Sequence, residues 1–311
     1  MDVLSDAIAA MRLGRPHSAI WDKYAPWGAR FGEYSGAGFH VLLRGSAWLV
    51  PGREGAEPIA LAPGDIVFIA HGSGHALMSE PGAPLDRFDL EPDGSWPKPP
   101  ARSADGESGE PPAAVLLCGA YHLDRVRAHP LLSELPEVVH LPARVGAHGS
   151  LRGVVELLGA ELDDPKPGSD TIVSSLLDTL LAYILRAWWL GERHGTGHPT
   201  GWAAALADPA VAAALRAVHA DPAHPWTVAD LGALGGLSRA PFARRFAATV
   251  GAPPLAYLTW WRMTTAGRLL HQEDTPLRVI AERCGYASEF AFAKAFKRQF
   301  GVTPGQYRKA A

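Results

Sequence analysis

The last hundred residues carry one local pattern twice. Residues 227–246 read TVADLGALGGLSRAPFARRF and residues 276–296 read PLRVIAERCGYASEFAFAKAF. In each copy a short apolar-periodic stretch leads to a Gly-containing turn, a Ser, and a stretch with Phe at fixed offsets. Ser238 precedes Phe242 and Phe246; Ser288 precedes Phe292 and Phe296. Apolar residues four and eight positions after a capping Ser define one face of a helix. Two such helix-turn-helix units, 50 residues apart by their Ser positions, constrain this third of the chain to an all-α arrangement. The second helix of such a unit can enter a DNA major groove.

With the Phe residues assigned to the core, the outward positions follow. On the first recognition helix they are Arg239, Ala240, Ala243 and Arg244, after the cap Ser238. Arg244 is the candidate base reader, because a guanidinium pairs bidentately with guanine O6 and N7. Arg239 and Arg245 suit phosphates, which position without specifying. On the second helix, after Ser288, the outward residues are Glu289, Phe290, Ala293 and Lys294, with Lys297 and Arg298 near the backbone and Phe292, Phe296 and Phe300 in the core. A Glu and a Phe at its leading edge favour shape readout or apolar contact with thymine methyls. The bland alternative is a solvated basic face. Residues 254–272 form a spacer helix. About 15–19 helical residues span roughly 22–28 Å, which approaches the ~34 Å between successive major grooves once two short turns are added. A helix over 205–222 would close the core of the first unit.

Charge is distributed unevenly. Residues 201–311 hold 13 Lys and Arg against 7 Asp and Glu, a net of +6, whereas the preceding 200 hold 16 against 25, a net of −9. A polyanion partner is therefore expected for the C-terminal part only. At 311 residues and 47% hydrophobic content, two domains with cores of their own are expected. The start of the chain, MDVLSDAIAAMRLGR, has acids before its basic residues and no long apolar run, so it reads as an amphipathic start and not a leader. The apolar stretch within 172–190 is interrupted by Ser174, Ser175, Asp178 and Arg186, which argues against a membrane span. Two cysteines, Cys118 and Cys284, argue against a disulfide framework and for the cytoplasm.

The N-terminal part is β-rich. FHVLLRGSAWLV (39–50) reads as strands around Gly45, PIALAPGDIVFIA (58–70) as two strands joined at Pro63-Gly64-Asp65, and HGSGHAL (71–77) as a bend entering another strand. Residues 91–113 read as a mobile Pro/Gly/Ser-rich loop. AAVLLCGAYHLD (113–124) reads as a further strand, with Cys118 and His122 on one side. Short strands at this spacing suggest a small barrel or jelly roll. Helices are expected over 150–164 and 169–193. The second carries two stripes, Ile172-Leu176-Leu180-Ile184-Trp188 and Val173-Leu177-Leu181-Leu185-Trp189. One stripe can cover the barrel and the other a second subunit; both can equally pack within one chain. HGTGHPTG (194–201) reads as a linker. The division is a sensor domain over 1–195 and a DNA-binding domain over 202–311.

The stretch from Trp226 to Arg308 resembles the DNA-binding domain of the AraC/XylS family of bacterial transcription regulators. WTVADLGALGGLSRAPFARRF, GAPPLAYLTWWRM and IAERCGYASEFAFAKAFKRQFGVTPGQYRK carry the resemblance. It implies two helix-turn-helix units reading successive major grooves of double-stranded DNA. Base-reading roles fall on Ala240, Ala243 and Arg244, and on Glu289, Phe290 and Lys294. The N-terminal part resembles the cupin-type regulatory domain found in one branch of that family, through APWGARF, FHVLLRGSAWL, LAPGDIVFIAHGSGHAL, LLCGAYHLD and HPLLSELPEVVHL. The implied fold class is α+β: a double-stranded β-barrel with a helical linker region, then an all-α domain. The implied partners are an effector (a small molecule or a metal), a second copy in a homodimer, and RNA polymerase for an activator.

Metal-holding cupins draw histidines from the strand positions of His40 and His75. With Cys118 and His122 the set suits Zn, Cu or Ni. The sequence lacks an H-x-H pair and a following Glu. The alternative is that His40 and His75 hydrogen-bond inside the barrel and Cys118 packs as a small hydrophobe. Two rival functions remain: a metal-dependent cupin enzyme fused to a DNA-binding module, and a sequence-independent nucleic-acid binder. Fold alone does not imply chemistry, and a net of +6 is modest for the second.

Overall fold

The computed structural model describes residues 2–11, 16–89, 111–123, 129–143, 149–194, 201–272 and 275–309. Helix α1 (Val3–Met11) comes first. Strands β1 (His17–Lys23), β2 (Gly28–Phe31), β3 (Gly36–Gly45), β4 (Ala47–Pro51), β5 (Ile59–Leu61), β6 (Ile66–Ile69), β7 (His75–Met78) and β8 (Asp86–Phe88) follow, then β9 (Ala114–His122), the short helix α2 (Pro130–Ser133) and β10 (Val138–Leu141). Helices α3 (Gly149–Asp163), α4 (Ser169–His194), α5 (Gly201–Ala207), α6 (Pro209–Ala220), α7 (Val228–Ala233), α8 (Arg239–Val250), α9 (Pro254–Gln272), α10 (Leu277–Arg283), α11 (Glu289–Phe300) and α12 (Pro304–Lys309) complete the chain. The loop expected over 91–113 and the linker over 194–201 lie largely outside the described residues.

The strands form two five-stranded sheets, ordered β1-β9-β3-β6-β10 and β5-β4-β7-β2-β8. Pairing is antiparallel except between β2 and β8. Gly45, at φ +82°, turns the chain from β3 into β4, a conformation that costs a side-chain-bearing residue more than glycine. The interior is filled from both sheets by Trp21, Phe31, Leu42, Leu49, Val67, Ile69, Leu77, Leu116 and Cys118. Their side chains alternate with the pleat, so register decides which residues meet inside. Helix α4 belongs to the same compact unit for nearly all its length. Leu177, Leu180, Leu181, Ile184 and Leu185 are buried, and the Tyr121 hydroxyl donates to the Leu177 carbonyl at 2.7 Å. By length and composition Ser169–Trp189 could cross a bilayer; the burial of this face is that of a helix packed on its own domain. Both apolar stripes contribute to that core, leaving Ile172 at 44% and Leu157 of α3 at 60% exposure.

The helical unit differs from expectation at its start. The single helix expected over 205–222 is two helices, because Asp208 caps the second. Its carboxylate accepts from the Ala210 and Val211 amides at 2.9 and 3.1 Å, with Pro209 opening α6. The Asp-Pro pair is the local cause: proline suits the first helical turn and disfavours helix in the residue before it. The compact units also cut across the sequence division at 195/202. Met1–Met11, Val126–Glu134 and Glu192–Ala311 cluster together, leaving Arg12–Arg125 and Leu135–Gly191 as the barrel unit.

Candidate functional site

The two helix-turn-helix units are built as their sequences require. Thr227 and Asp230 form a reciprocal capping box at the start of α7, satisfying amides that would otherwise lack a partner within the helix. Phe242 and Phe246 of α8, and Phe292 and Phe296 of α11, are fully buried, which stabilises each helix by roughly 2–3 kcal/mol per ring. Both helices end at left-handed glycines, Gly251 and Gly301. The opposite faces are open. Ser238, Arg239, Ala240, Arg244 and Arg245 are exposed, as are Ser288, Glu289, Phe290, Lys294, Lys297 and Arg298; Ala243 and Ala293 are half-buried. Every DNA-facing candidate named from sequence therefore lies on an accessible or partly accessible helix face. The caps are unequal. Ser288 accepts from the Ala291 amide at 3.2 Å, whereas the Ser238 hydroxyl makes no capping bond. Arg245 is drawn to Asp208, at 3.4 Å. Phe290 is 81% exposed, an unusual state for so large an apolar side chain on a helix whose other Phe residues are covered.

Inside the barrel, strand register explains which metal-type candidates meet. His40 and Cys118 are direct partners across β3 and β9, and His75 enters from the facing sheet. His40 Nδ1 lies 3.0 Å from Cys118 Sγ, and His40 Nε2 lies 2.8 Å from His75 Nε2. His75 Nδ1 donates to the Ser73 carbonyl at 2.9 Å. That last bond fixes the direction of the rest: His75 Nε2 must accept, so His40 donates from Nε2 and accepts the Cys118 thiol proton at Nδ1. Burial keeps every member uncharged. It lowers His40 well below its ordinary value with His75 adding to the effect, brings His75 down to about 4, and pushes the Cys118 thiol up to about 12. His122 does not join them. It shares the face of Cys118 but sits four residues, about 13 Å, further along β9, opposite Gly36. Among the described residues no group of three or more His, Cys, Asp or Glu side chains is arranged to hold a metal ion. His40 spends one nitrogen on each neighbour, so three donors do not converge on one point.

A cavity of about 40 Å³ adjoins this chain, lined by His40, His75 and Cys118 together with Trp21, Phe31, Tyr34 and Phe88. The aromatic wall is tightly made. Phe31 stacks on His75 with centroids 4.8 Å apart, and Trp21 meets Phe88 edge-on at 4.4 Å. His75 also borders an open, polar groove of about 370 Å³ that includes Arg30, Glu33, Arg87 and Asp89. Sequence reading missed the aromatic wall, since Trp21, Phe31 and Phe88 come from three separate strands and only their pairing brings them together.

A cupin family model matches residues 2–189, and a helix-turn-helix domain model matches 232–310. A Streptomyces lividans protein named as an AraC-like transcription regulator is 35% identical over 99% of this chain and 98% of its own length. The chain belongs to the AraC family of transcriptional regulators. Within that family, the RCS-specific HTH-type transcriptional activator RclR of Escherichia coli K12 is 31% identical over 93% of this chain and 89% of its own. The DNA-binding domain of AdpA, solved in complex with a target DNA, is 35% identical, with a TM-score of 0.31, over 33% of this chain and 92% of that one. The AraC-family reading joins the two halves: a cupin-like ligand-sensing domain and a DNA-binding domain with paired helix-turn-helix units.

Proposed function

We propose that this protein is a cytoplasmic, homodimeric regulator that reads two successive major grooves with α8 and α11 and adjusts transcription to a small effector held in the barrel. The observation that carries the DNA reading is the two-faced burial of both helices, with Phe inward and Arg244, Lys294 and Phe290 outward. Arg244 reads a guanine, Phe290 meets thymine methyls, and Arg239, Lys297 and Arg298 engage phosphates. Leu157 and Ile172 are the apolar positions left for a second subunit, and RNA polymerase is the partner of an activator.

The effector reading rests on the cavity's chemistry. Its walls are aromatic, its imidazoles neutral and its thiol protonated, and the His40, His75 and Cys118 polar atoms are engaged with one another. Such a site favours an uncharged, compact, largely apolar molecule, because an ion would be desolvated there without a counter-charge. The same engagement argues against an enzyme, which needs a group free to react.

Selection of bound fragments from a random DNA pool tests the DNA reading. The expected product is a two-part motif with elements one helical turn apart, retained against excess bulk DNA at fixed salt. Recovery of unrelated sequences would instead indicate a non-specific binder. Elemental analysis tests the cavity: no stoichiometric metal is expected. Stoichiometric Zn, Cu or Ni that disappears in His75→Ala would reassign His40, His75 and Cys118 as ligands.

A further inference from the structure

The DNA-reading unit contains two pieces of chain from the sensor half, and one buried polar chain holds both. Helix α1 contributes Val3, Ala7 and Ile8 to the interior. The segment 129–134 contributes His129, fully buried, and Glu134, whose carboxylate accepts from the Trp202 amide at the start of α5 at 2.9 and 3.1 Å. His129 Nε2 lies 3.0 Å from the Tyr257 hydroxyl on α9, and that hydroxyl lies 2.7 Å from His219 Nε2 on α6. His219 Nδ1 in turn lies 3.3 Å from the Asp6 carboxylate on α1, off the line of an ideal hydrogen bond. His219 is stacked on Trp261 at 3.8 Å, and His129 meets Trp202 edge-on at 4.5 Å.

Proton positions follow from the one charged member. Asp6 calls for a proton on His219 Nδ1, so His219 Nε2 accepts from Tyr257, and Tyr257 accepts from His129 Nε2–H. Burial lowers both imidazoles, His129 well below its ordinary range, which keeps them neutral as this order requires. A buried chain whose links admit one proton order is cooperative: losing a link strands polar groups away from water. Neither α1 nor 129–134 can therefore shift without disturbing α6 and α9, the helices that pack against the first helix-turn-helix unit. In sequence, α1 precedes β1 and 129–134 lies between β9 and β10.

We propose that the Asp6–His219–Tyr257–His129 chain is the latch through which the state of the DNA-reading helices is passed to α1 and to 129–134, the two segments that neighbour barrel strands in sequence. The inference rests on the DNA-reading function above. The test is amide hydrogen exchange on the full chain, with and without the duplex recovered from the random pool. DNA should slow exchange in α8 and α11 and, through the latch, in α1 and 129–134. In Tyr257→Phe, which deletes only the shared hydroxyl, α8 and α11 should still be protected by DNA while the response of α1 and 129–134 is lost and their basal exchange rises about tenfold. Protection of α8 and α11 without any response of α1 and 129–134 in the unaltered protein overturns the latch and leaves the DNA-reading function standing. No protection anywhere overturns both. If Tyr257→Phe loosens the whole unit, Asp6→Asn, which keeps the shape and removes the charge, is read by the same two criteria.

Discussion

The two helix-turn-helix units share a framework and differ in everything attached to it. Each has a buried Phe pair and a left-handed glycine after its recognition helix. The first is embedded: α5, α6 and α9 pack against it, α1 packs in turn on α6 and α9, Arg245 is tied to Asp208, and a buried polar chain lies in its supporting helices. The second leans mainly on the far half of α9 and on α12. Its core runs from Met263 through Ile280 and Cys284 to Phe296 with Tyr307 of α12, and its exposed face offers Phe290 where the first offers alanines. Burial preserves the repeated pattern, because both units solve one packing problem. The faces are free to diverge, because specificity and coupling are set there.

The comparison can be broken most forcefully in the cores. Phe292→Ala and Phe242→Ala should each cost about 3–5 kcal/mol in urea unfolding. The first should loosen amides from α10 to α12 while sparing α7 and α8; the second should spread into α1 and α5. Equal spread for both would erase the distinction between the two units. On DNA, Arg244→Ala should cost about 1–3 kcal/mol at the selected duplex and relax preference at one base pair. Phe290→Ala should lose about 1 kcal/mol and become indifferent to replacing thymine by uracil, a contrast the unaltered protein should register. The caps give a smaller test. Ser288→Ala should cost about 1 kcal/mol of stability, whereas Ser238→Ala should fall within ~0.5 kcal/mol.

Acid sharpens the contrast by direction alone. The buried histidines among the described residues are His40, His75, His129 and His219, none in the core of the second unit. Burial lowers His129 and His219 below 6.5 in the folded state, so the unfolded chain binds more protons as pH falls. Their stabilising share is whole above about pH 6.5 and declines below it. Amides of α1, α6 and the first half of α9 should lose protection between pH 7 and 5 before those of α11. Simultaneous loss would mean that the second unit depends on the first.

Sequence revealed what is periodic or punctuated. The strands over 39–50, 58–70 and 113–124 were legible because Gly45, Gly64 and their neighbours mark turns between apolar runs, and the Phe spacing exposed both recognition helices. The adjacency of His40 and Cys118 was only half legible, since strand identity is local and register is not. Placing His122 with them failed because four residues on a strand separate side chains by a distance that four residues on a helix do not. The break at Asp208 was written in an Asp-Pro pair and overlooked within an alanine-rich run. Asp6, His129, His219 and Tyr257 left no mark at all: each sits in a different element, at separations no local pattern spans.

The chain passes between the two compact units at residues 11/12, 125/126, 134/135 and 191/192. A tail module joined by one connector can be exchanged between proteins by a single recombination event. Here such an event near residue 200 would deliver a reader stripped of its first helix and of the loop that fills its centre. Hybrid regulators assembled from this protein should keep residues 2–11 and 129–134 matched to whichever DNA-binding half they carry, and natural shuffling of that half would face the same demand.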